Sequence, residues 1–464
     1  MLYSLYRLTH ASNQAAVLEM SKACAHHLGM TPNRWVKLSV GERRTAVQIR
    51  IAHKAQENEL SLSGSVLSAL QLDSPTAMKF RYRIQSKSPN ELAMGPVIGI
   101  LIGHSRDQIR QNRHGYKFFH TFWDIHNIGG LAFYFTLADI NWEKRTIFGH
   151  VHFPNRSMEI RSPKHVQFET GEFPFPQAVY RRSYVPRETL QHLRNDMTPF
   201  IFNDPLCYYR LAQIEALQAI PHLAKHLPET VPLSAESLDQ MLVRHQTVYV
   251  KASGMGAGRS VFRIARASEG GYVVRTRVST TSDQEKQIRI NSYRQLTRVL
   301  AQVRGTFSPS RWSIQQAIRP ARWKQRPFDL RITVQKNGLG EWVVNGAYAR
   351  LAPAPDSIIT RLGEYWQAEA LLAKRWPISG KRILSTVTDF ALACARAFDL
   401  KFDYLGDLGV DVLLDEQARP WFLEANAAPG YRPVDKNDQD YWRQLSAPLT
   451  YASYLSGFPV YPSH

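Results

Sequence analysis

Apolar residues alternate with polar ones at Val36, Leu38 and Val40, and again at Val47, Ile49 and Ile51. This is the two-residue period of half-buried β-strands. Both runs lie in LGMTPNRWVKLSVGERRTAVQIRI, which starts at Leu28, and a similar layout returns in LQLDSPTAMKFRYRI from Leu70. Each stretch opens on a short leucine-containing helix, passes a proline-bearing turn and enters strand sequence. Residues 1–93 are therefore expected to form a small β-rich module, a compact barrel or paired hairpins, with a degenerate internal duplication; two unrelated hairpins would read alike. At Gly95 the texture changes. PVIGILIG, from Pro96 to Gly103, is a continuous apolar run closed by glycine, as in a parallel strand covered on both faces. A helical stretch with aromatics follows from Tyr116 to His126, and LAFYFTLADI reads as a second buried strand. Residues 94–203 are thus expected to be an α/β domain whose strand ends frame a substrate site. From Asp204 to about Leu227 the chain reads as helix, Pro228 interrupts it, and Ser234 caps a further helix in SAESLDQML. The strand TVYVK then leads into the chemistry of a last domain, 204–464. The fold class is mixed α+β and α/β, in several domains.

Four stretches carry candidate chemistry. In TVYVKASGMGAGRSVFRI, Thr247 to Ile264, a β-branched strand delivers Lys251, and a loop with Gly254, Gly256 and Gly258 leads to a second strand from Ser260. Glycines let backbone N–H groups approach phosphate oxygens, and the lysine adds a point charge. Walker and dinucleotide fingerprints run from strand to helix, so they do not fit; a hairpin loop with a solvated lysine fits as well as a phosphate site. In GVDVLLDEQARPWFLEANAAPG, Gly409 to Gly430, two apolar strands flank a polar turn. A hairpin centred between Gln417 and Ala418 sets Asp411 opposite Glu424, with Asn426 on the same face. Facing carboxylates repel, and among Val410, Val412 and Leu423 a cation is the natural relief. Oxygens from Asp, Glu and Asn suit Mg²⁺, with phosphate oxygens and water completing the octahedron. The other reading is a surface hairpin with its acidic face in water. In PFDLRITVQ, Pro327 to Gln335, and WVVNGAYARLA, Trp342 to Ala352, paired strands put Asp329 and Arg331 on one face and Arg350 near the end of the second strand. Arginines there can clamp a transferred phosphoryl group and an anionic intermediate. For Asp329, cross-strand salt bridging on an exposed sheet face explains the residue nearly as well. In WSIQQAI, Trp312 to Ile318, Gln315 and Gln316 sit in an apolar strand whose main chain could read an adenine edge, although polar residues are ordinary in half-buried strands.

Charge sharpens the choice of partner. The 464 residues, enough for two to four domains, hold 58 Lys plus Arg against 39 Asp plus Glu, a net +19 that favours anionic partners. No long basic run, helix-turn-helix, zinc or aromatic–basic platform accompanies it, so nucleic acid is not the expected partner. Cys24, Cys207 and Cys394 are far apart and form no C-x-x-C pair, which argues against a disulfide framework or a zinc site. No Ser/His/Asp or Cys/His arrangement emerges, and the histidines are scattered. The start lacks a signal-peptide layout, and no apolar run approaches the ~20 residues of a membrane span. A soluble, cytoplasmic protein without a membrane partner is expected.

In this order and spacing the four motifs resemble the ATP-grasp superfamily. More narrowly, residues 95–430 are similar to the YheC/YheD family of endospore coat-associated proteins, through GPVIGIL, DINWEKRTIFGHV, LPET at Leu227 to Thr230, VYVKAS, FDLRITVQKNG, GVDVLLDE and WFLEANAAPG. The resemblance implies an ATP-grasp domain over 204–464, with two α+β lobes holding ATP between them, preceded by an α/β pre-ATP-grasp domain. It implies ATP and Mg²⁺, two ions. Lys251 would meet the phosphates, the 254–260 loop with Arg259 and Ser260 would form the triphosphate lid, and Gln316, Ala317 and Ile318 the adenine hinge, with Asp329 also on the nucleotide. Asp411, Glu424 and Asn426 would be the magnesium ligands, and Arg331 and Arg350 the phosphate and intermediate clamps. The activity implied is that of a ligase joining a carboxylate to an amine or thiol through an acyl phosphate. The alternative is a non-catalytic, nucleotide-binding assembly protein of the spore envelope, with spore coat proteins as partners and coat association beside the cytoplasmic location. Two departures stand out. Where relatives carry a lysine after their Phe-Asn segment this chain reads FNDPLCYYRLAQ, with Arg210 as candidate stand-in, and PDSIITRLGEYWQAEALL lacks their Gly-Gly loop.

Overall fold

The computed structural model of the chain describes residues 4–12, 15–53, 55–110, 128–152, 168–203, 210–252, 261–277, 285–304, 312–357, 363–427, 429–435 and 438–461. They belong to two compact units. One comprises Met1–Asn203, Gln335–Glu341 and Trp442–His464, the other Asp204–Val334 and Trp342–Tyr441.

In the first unit seven strands close into a barrel: β1 (Tyr6–Ala11), β2 (Val17–Met20), β3 (Trp35–Val40), β4 (Arg43–Ile51), β5 (Glu59–Ser63), β6 (Arg81–Ser88) and β7 (Glu91–Gly95), in the order β1-β5-β2-β4-β3-β7-β6. Closure leaves no open edge. The alternation seen in the sequence puts Val36, Leu38, Val40, Val47 and Ile49 inside. Two short helices, Lys22–His27 and Gly64–Ala69, end alike. Gly29 and Gln71 take left-handed backbone (φ 65° and 58°), and the next N–H groups, Met30 and Leu72, reach back 2.8 Å to the Ala25 and Leu67 carbonyls. Glycine adopts that conformation freely, and Gln71 at a cost of about 1 kcal/mol.

A seven-stranded sheet follows: β8 (Val97–Gly103), β9 (Leu131–Thr136), β10 (Ile140–Asn141), β11 (Thr146–Val151), β12 (Glu169–Pro174), β13 (Ala178–Arg181) and β14 (Ile201–Phe202). The apolar run at Pro96 becomes β8, buried at every residue and parallel to β9 and β13, as its unbroken hydrophobicity requires. The stretch Tyr116–His126 lies outside the described residues. The C-terminal segment packs into this unit. Arg83 of β6 donates to the Phe458 and Pro459 carbonyls (both 2.8 Å), and Tyr451 meets Phe202 edge-on at 5.0 Å.

The second unit holds two sheets with separate cores. The first is antiparallel: β15 (Thr230–Pro232), β16 (Thr247–Ala252), β17 (Val261–Arg266), β18 (Tyr272–Arg277), β19 (Glu285–Ile290) and β20 (Trp312–Gln316), in the order β15-β20-β16-β17-β18-β19. Val248, Val250, Ile264 and Val274 pack on helices Ala235–His245 and Tyr293–Arg304. Ser234 caps the first of these helices, its Oγ accepting from the Ser237 N–H at 3.0 Å. The second sheet runs β24-β23-β22-β25-β26: β22 (Arg326–Lys336), β23 (Trp342–Leu351), β24 (Glu364–Gln367), β25 (Asp407–Leu414) and β26 (Pro420–Ala427), with β21 (Arg322–Trp323) on β22. Phe328, Leu330, Ile332 and Val334 alternate into a core shared with helices Arg210–Gln218, Ala368–Arg375 and Gly380–Asp399. The intervening residues, Asp329 and Arg331 among them, therefore face the other way. Cys24 and Cys394 are buried free thiols, and Cys207 lies outside the described residues. Among the described residues no helix is long and apolar enough to cross a membrane.

Candidate functional site

The β25–β26 hairpin pairs Asp411 with Glu424 and Gly409 with Asn426, the register expected from the sequence, but by a different route. Next to the turn the pairs are Leu414–Pro420, Leu413–Trp421 and Val412–Phe422, so the hairpin turns about Gln417 itself. Leu423 is an extra, bulged residue that restores the Asp411–Glu424 pairing. Asp415 shapes the turn, one carboxylate oxygen accepting from the Gln417 and Arg419 N–H groups at 3.0 and 2.8 Å.

Two facing carboxylates need positive charge, and here arginines from neighbouring strands provide it. Arg331 of β22 grips Asp411 with two parallel N–H bonds, Nε to Oδ1 and Nη2 to Oδ2 (2.9 Å). Arg350 of β23 lies 3.0 Å from the same Asp411 Oδ2 and holds Asp329 with two bonds of 2.7 Å. Asp329 thus forms a cross-strand salt bridge, as one reading allowed, but in a buried setting rather than on an exposed face. Gly409 leaves room for this arrangement. A Cβ there would stand 2.9 Å from Arg331 Nη1 and 2.8 Å from the Pro429 Cβ. Such forks are the strong form of ion pair. Burial opposes charge on both guanidinium groups, yet Asp411 raises Arg331, and Asp329 with Asp411 raises Arg350 well above the ordinary value.

Glu424 is served from the helix Arg210–Gln218. Arg210 Nη2 donates to Glu424 Oε2 at 2.8 Å, and the Asn426 carboxamide donates to Oε1 at 3.1 Å. Burial would raise the Glu424 carboxyl, but Arg210, Asn426, Lys251 and Arg331 outweigh it and hold it down at about 2. One turn along the helix, Gln213 Nε2 donates to the Ala425 carbonyl (2.9 Å) while its Oε1 accepts the Ala425 N–H (3.0 Å). A carboxamide thus pairs with the outer edge of β26, where no further strand lies among the described residues.

From the other sheet, Lys251 Nζ donates to Gln315 Oε1 at 2.6 Å and lies 5.4 Å from the Tyr249 ring centre. Gln315 in turn donates to Thr230 Oγ1 at 3.2 Å. Burial, then Arg210, push Lys251 down to about 7 against the pull of Glu424, Asp411 and Asp329. Lys251 is thus within reach of the charges of Arg210, Glu424, Asp411 and Asp329. Gln316 pairs with Val248, toward the other end of β16 from Lys251. The Gln316 and Ala317 N–H groups donate to Glu229 O (2.8 Å) and Thr247 O (3.3 Å), and Ile318 is half-buried just beyond. Gly254, Gly256, Gly258, Arg259 and Ser260 lie outside the described residues.

Sequence reasoning singled out Arg210 only as a stand-in for lysine and missed Gln213 and the Lys251 bond of Gln315. Glu424 is 214 positions from Arg210, and no local spacing signals such a contact. Also unmarked were Tyr365, directly opposite Arg350 on β24, and Arg432, whose guanidinium carbon lies 5.6 Å from the Tyr365 ring centre. The Pro-Gly pair that follows the second strand of the hairpin, just before Arg432, was the available hint.

A family model described as YheC/D like ATP-grasp matches residues 200–455. The chain is 25% identical over 381 residues to the endospore coat-associated protein YheD of Bacillus subtilis (strain 168), covering 78% of this chain and 79% of that protein. To the endospore coat-associated protein YheC of the same organism it is 27% identical over 138 residues, 28% of this chain and 37% of that one. Among solved structures, a D-alanine–D-alanine ligase from Coxiella burnetii matches with a TM-score of 0.43 at 12% identity, over 78% of this chain and 92% of that chain.

Proposed function

Because the chain belongs to the YheC/D-like ATP-grasp family, we propose that it is an ATP-dependent ligase that activates a carboxylate as an acyl phosphate and passes the acyl group to an amine or thiol. The observation that carries this reading is the shared face of Asp411, Glu424 and Asn426, rimmed by Arg210, Arg331, Arg350 and Lys251. The donor set fits magnesium. All three side chains offer hard oxygens, and two carboxylates with an amide are enough for an ion that keeps waters and phosphate oxygens as its other ligands. Among the described residues no three His, Cys, Asp or Glu side chains gather as a metal cluster, so the third protein oxygen here is that of Asn426. Asp411, Glu424 and Asn426 would hold the ion, which when bound supplies neutralising charge to the phosphates.

The chain's own groups do the rest by position and charge. Lys251 binds phosphate oxygens, whose negative charge raises its affinity for the proton and keeps it an ammonium. Arg331 and Arg350 present guanidinium N–H groups to the phosphoryl oxygens and to the anionic intermediate. A substrate carboxylate oxygen attacks the γ-phosphorus. The bond from that phosphorus to the β–γ bridging oxygen breaks, and ADP departs with the electron pair. An amine nitrogen then attacks the acyl carbon, the carbon–oxygen bond to phosphate breaks, and phosphate leaves as the nitrogen loses a proton. No side chain serves as a covalent nucleophile.

A second reading has its own support. Both Asp411 oxygens and both Glu424 oxygens already have partners within the protein, so the site keeps its shape without a reaction. That suits a nucleotide-binding assembly protein of the spore envelope, and coat association, stated in the names of YheD and YheC, is proposed for this chain on either reading. One assay separates the two. The full chain with Mg²⁺, ATP and a panel of carboxylates and amines is expected to release ADP beyond one equivalent per protein only when both substrates are present. Thermal stabilisation by magnesium and ATP with no ADP above background across the panel overturns the ligase and selects the assembly protein.

A further inference from the structure

We propose that Arg432, stacked on Tyr365, is the subsite for a second acidic group on the substrate, so that the ligase takes a dicarboxylate or other dianionic substrate in preference to a simple monocarboxylate. The proposal rests on the carboxylate-activating reading above and adds the substrate class.

Three arginines of the site have carboxylate partners in the protein: Arg210 with Glu424, Arg331 with Asp411 and Arg350 with Asp329. Arg432 is exposed and has no carboxylate partner among the described residues. Its guanidinium carbon lies 5.6 Å from the Tyr365 ring centre, within cation–π range. Tyr365 belongs to the arginine cluster by register. It faces Arg350 directly across β23 and β24, so the two side chains leave the sheet on one face. Burial raises the Tyr365 hydroxyl while Arg331 and Arg350 pull it down, which marks the same proximity. Tyr365 therefore stands between a paired arginine, suited to the carboxylate being activated, and an unpaired one. Residues directly opposite have Cβ atoms about 5 Å apart, so the two cationic heads are separated by roughly one aromatic side chain, on the order of 10 Å. A molecule with two anionic groups a few bonds apart spans such a gap once each group sits at hydrogen-bond distance from its guanidinium.

The free cation is also held in place, which distinguishes it from an ordinary surface arginine. Just before it, the Tyr431 hydroxyl bonds Asp407 Oδ2 at 2.5 Å, and both residues are buried. Just after it, buried Asp438 accepts from the Val434 N–H at 3.0 Å, the Tyr441 N–H at 3.1 Å and the Tyr348 hydroxyl at 3.2 Å. Tyr348 is stacked on Tyr365 at 5.1 Å and 25°. The backbone on both sides of Arg432 and the ring beneath it are thus held by these two sets of contacts, which lowers the ordering cost of binding an anion there. A net charge of +19 points to anionic partners independently.

The test is calorimetric titration of the full chain, saturated with Mg²⁺ and a non-hydrolysable ATP analogue, with two probes of similar size, glutarate and butyrate. We expect glutarate to bind at least tenfold more tightly than butyrate. Arg432→Gln should bring the two within about twofold, and Tyr365→Leu should do the same by removing the platform. Affinity for the analogue, read in every variant, serves as the folding control. Equal binding of the probes by the wild type, no binding of either, or a preference that survives Arg432→Gln overturns the subsite. Failure of the analogue to bind the wild type overturns the parent reading instead, so the two failures are told apart.

Discussion

Replacing Asp411 with Asn is expected to remove about 3–5 kcal/mol of stability, far more than its nearly unchanged size would suggest. Asp411 accepts a two-bond fork from Arg331, and Arg350 lies 3.0 Å from one of its oxygens. The side chains of all three residues are at most 13% exposed. Asparagine keeps the shape but loses the charge, and its amide group would turn a donor toward one of the guanidinium groups. Two buried cations would then face each other with only Asp329 between them. The loss should appear as a drop of roughly 10 °C in the thermal midpoint of the full chain, and salt should change it little because the network is largely shielded from solvent. Adding Arg331→Met to the same chain should recover part of the loss by removing one of the stranded charges. A drop below about 2 °C would mean that the network is not what organises this sheet face.

Nucleotide binding should take up close to one proton at pH 8.5 and almost none at pH 6. Without ligand, burial holds Lys251 near 7, so it is mostly neutral at pH 8.5 and charged at pH 6. A triphosphate beside it raises its affinity for the proton, and binding at high pH must therefore bring the proton in. Calorimetry in two buffers of different ionisation enthalpy measures this uptake. Lys251→Met should abolish the uptake and weaken binding roughly a hundredfold at pH 6, the loss of charge-assisted hydrogen bonds. The same residue sets a stability trend of known sign. Its folded value, about 7, lies below its ordinary 10.5, so the unfolded chain binds the extra proton between these values. Lys251 thus weakens the fold below pH 7, and that cost fades as pH rises from 7 toward 10.5. Uptake unchanged by pH, or retained in Lys251→Met, would place the proton elsewhere.

Much of the site could be read from the sequence because its decisive pairs are local. Asp411 and Glu424 lie on two strands of one hairpin, and a two-residue period with a short turn brings them together. Even so, the right pairing arose from two compensating features, a turn about Gln417 and a bulge at Leu423, which the hydrophobic pattern does not distinguish from a regular hairpin. Buried β8 and the Ser234 cap were legible for the same reason, since each is fixed by neighbours in sequence. Contacts between distant segments were not. Arg210 on Glu424, Gln213 on the edge of β26 and the return of Phe458 to Arg83 join residues more than 200 positions apart. Their physical basis, an unmet carboxylate, an open strand edge and a buried guanidinium, exists only once the sheets have formed. Asp329 lay between these cases. Its pairing with the strand of Arg350 was readable, whereas its burial depended on what covers the sheet.

The most direct measurement is the affinity of a non-hydrolysable ATP analogue with and without Mg²⁺, in the wild type and in Glu424→Gln. Magnesium should tighten binding by the wild type at least tenfold, and in Glu424→Gln that gain should vanish while the remaining metal-independent affinity stays measurable. Equal gains from magnesium in both proteins would contradict an ion held between this hairpin and the phosphates.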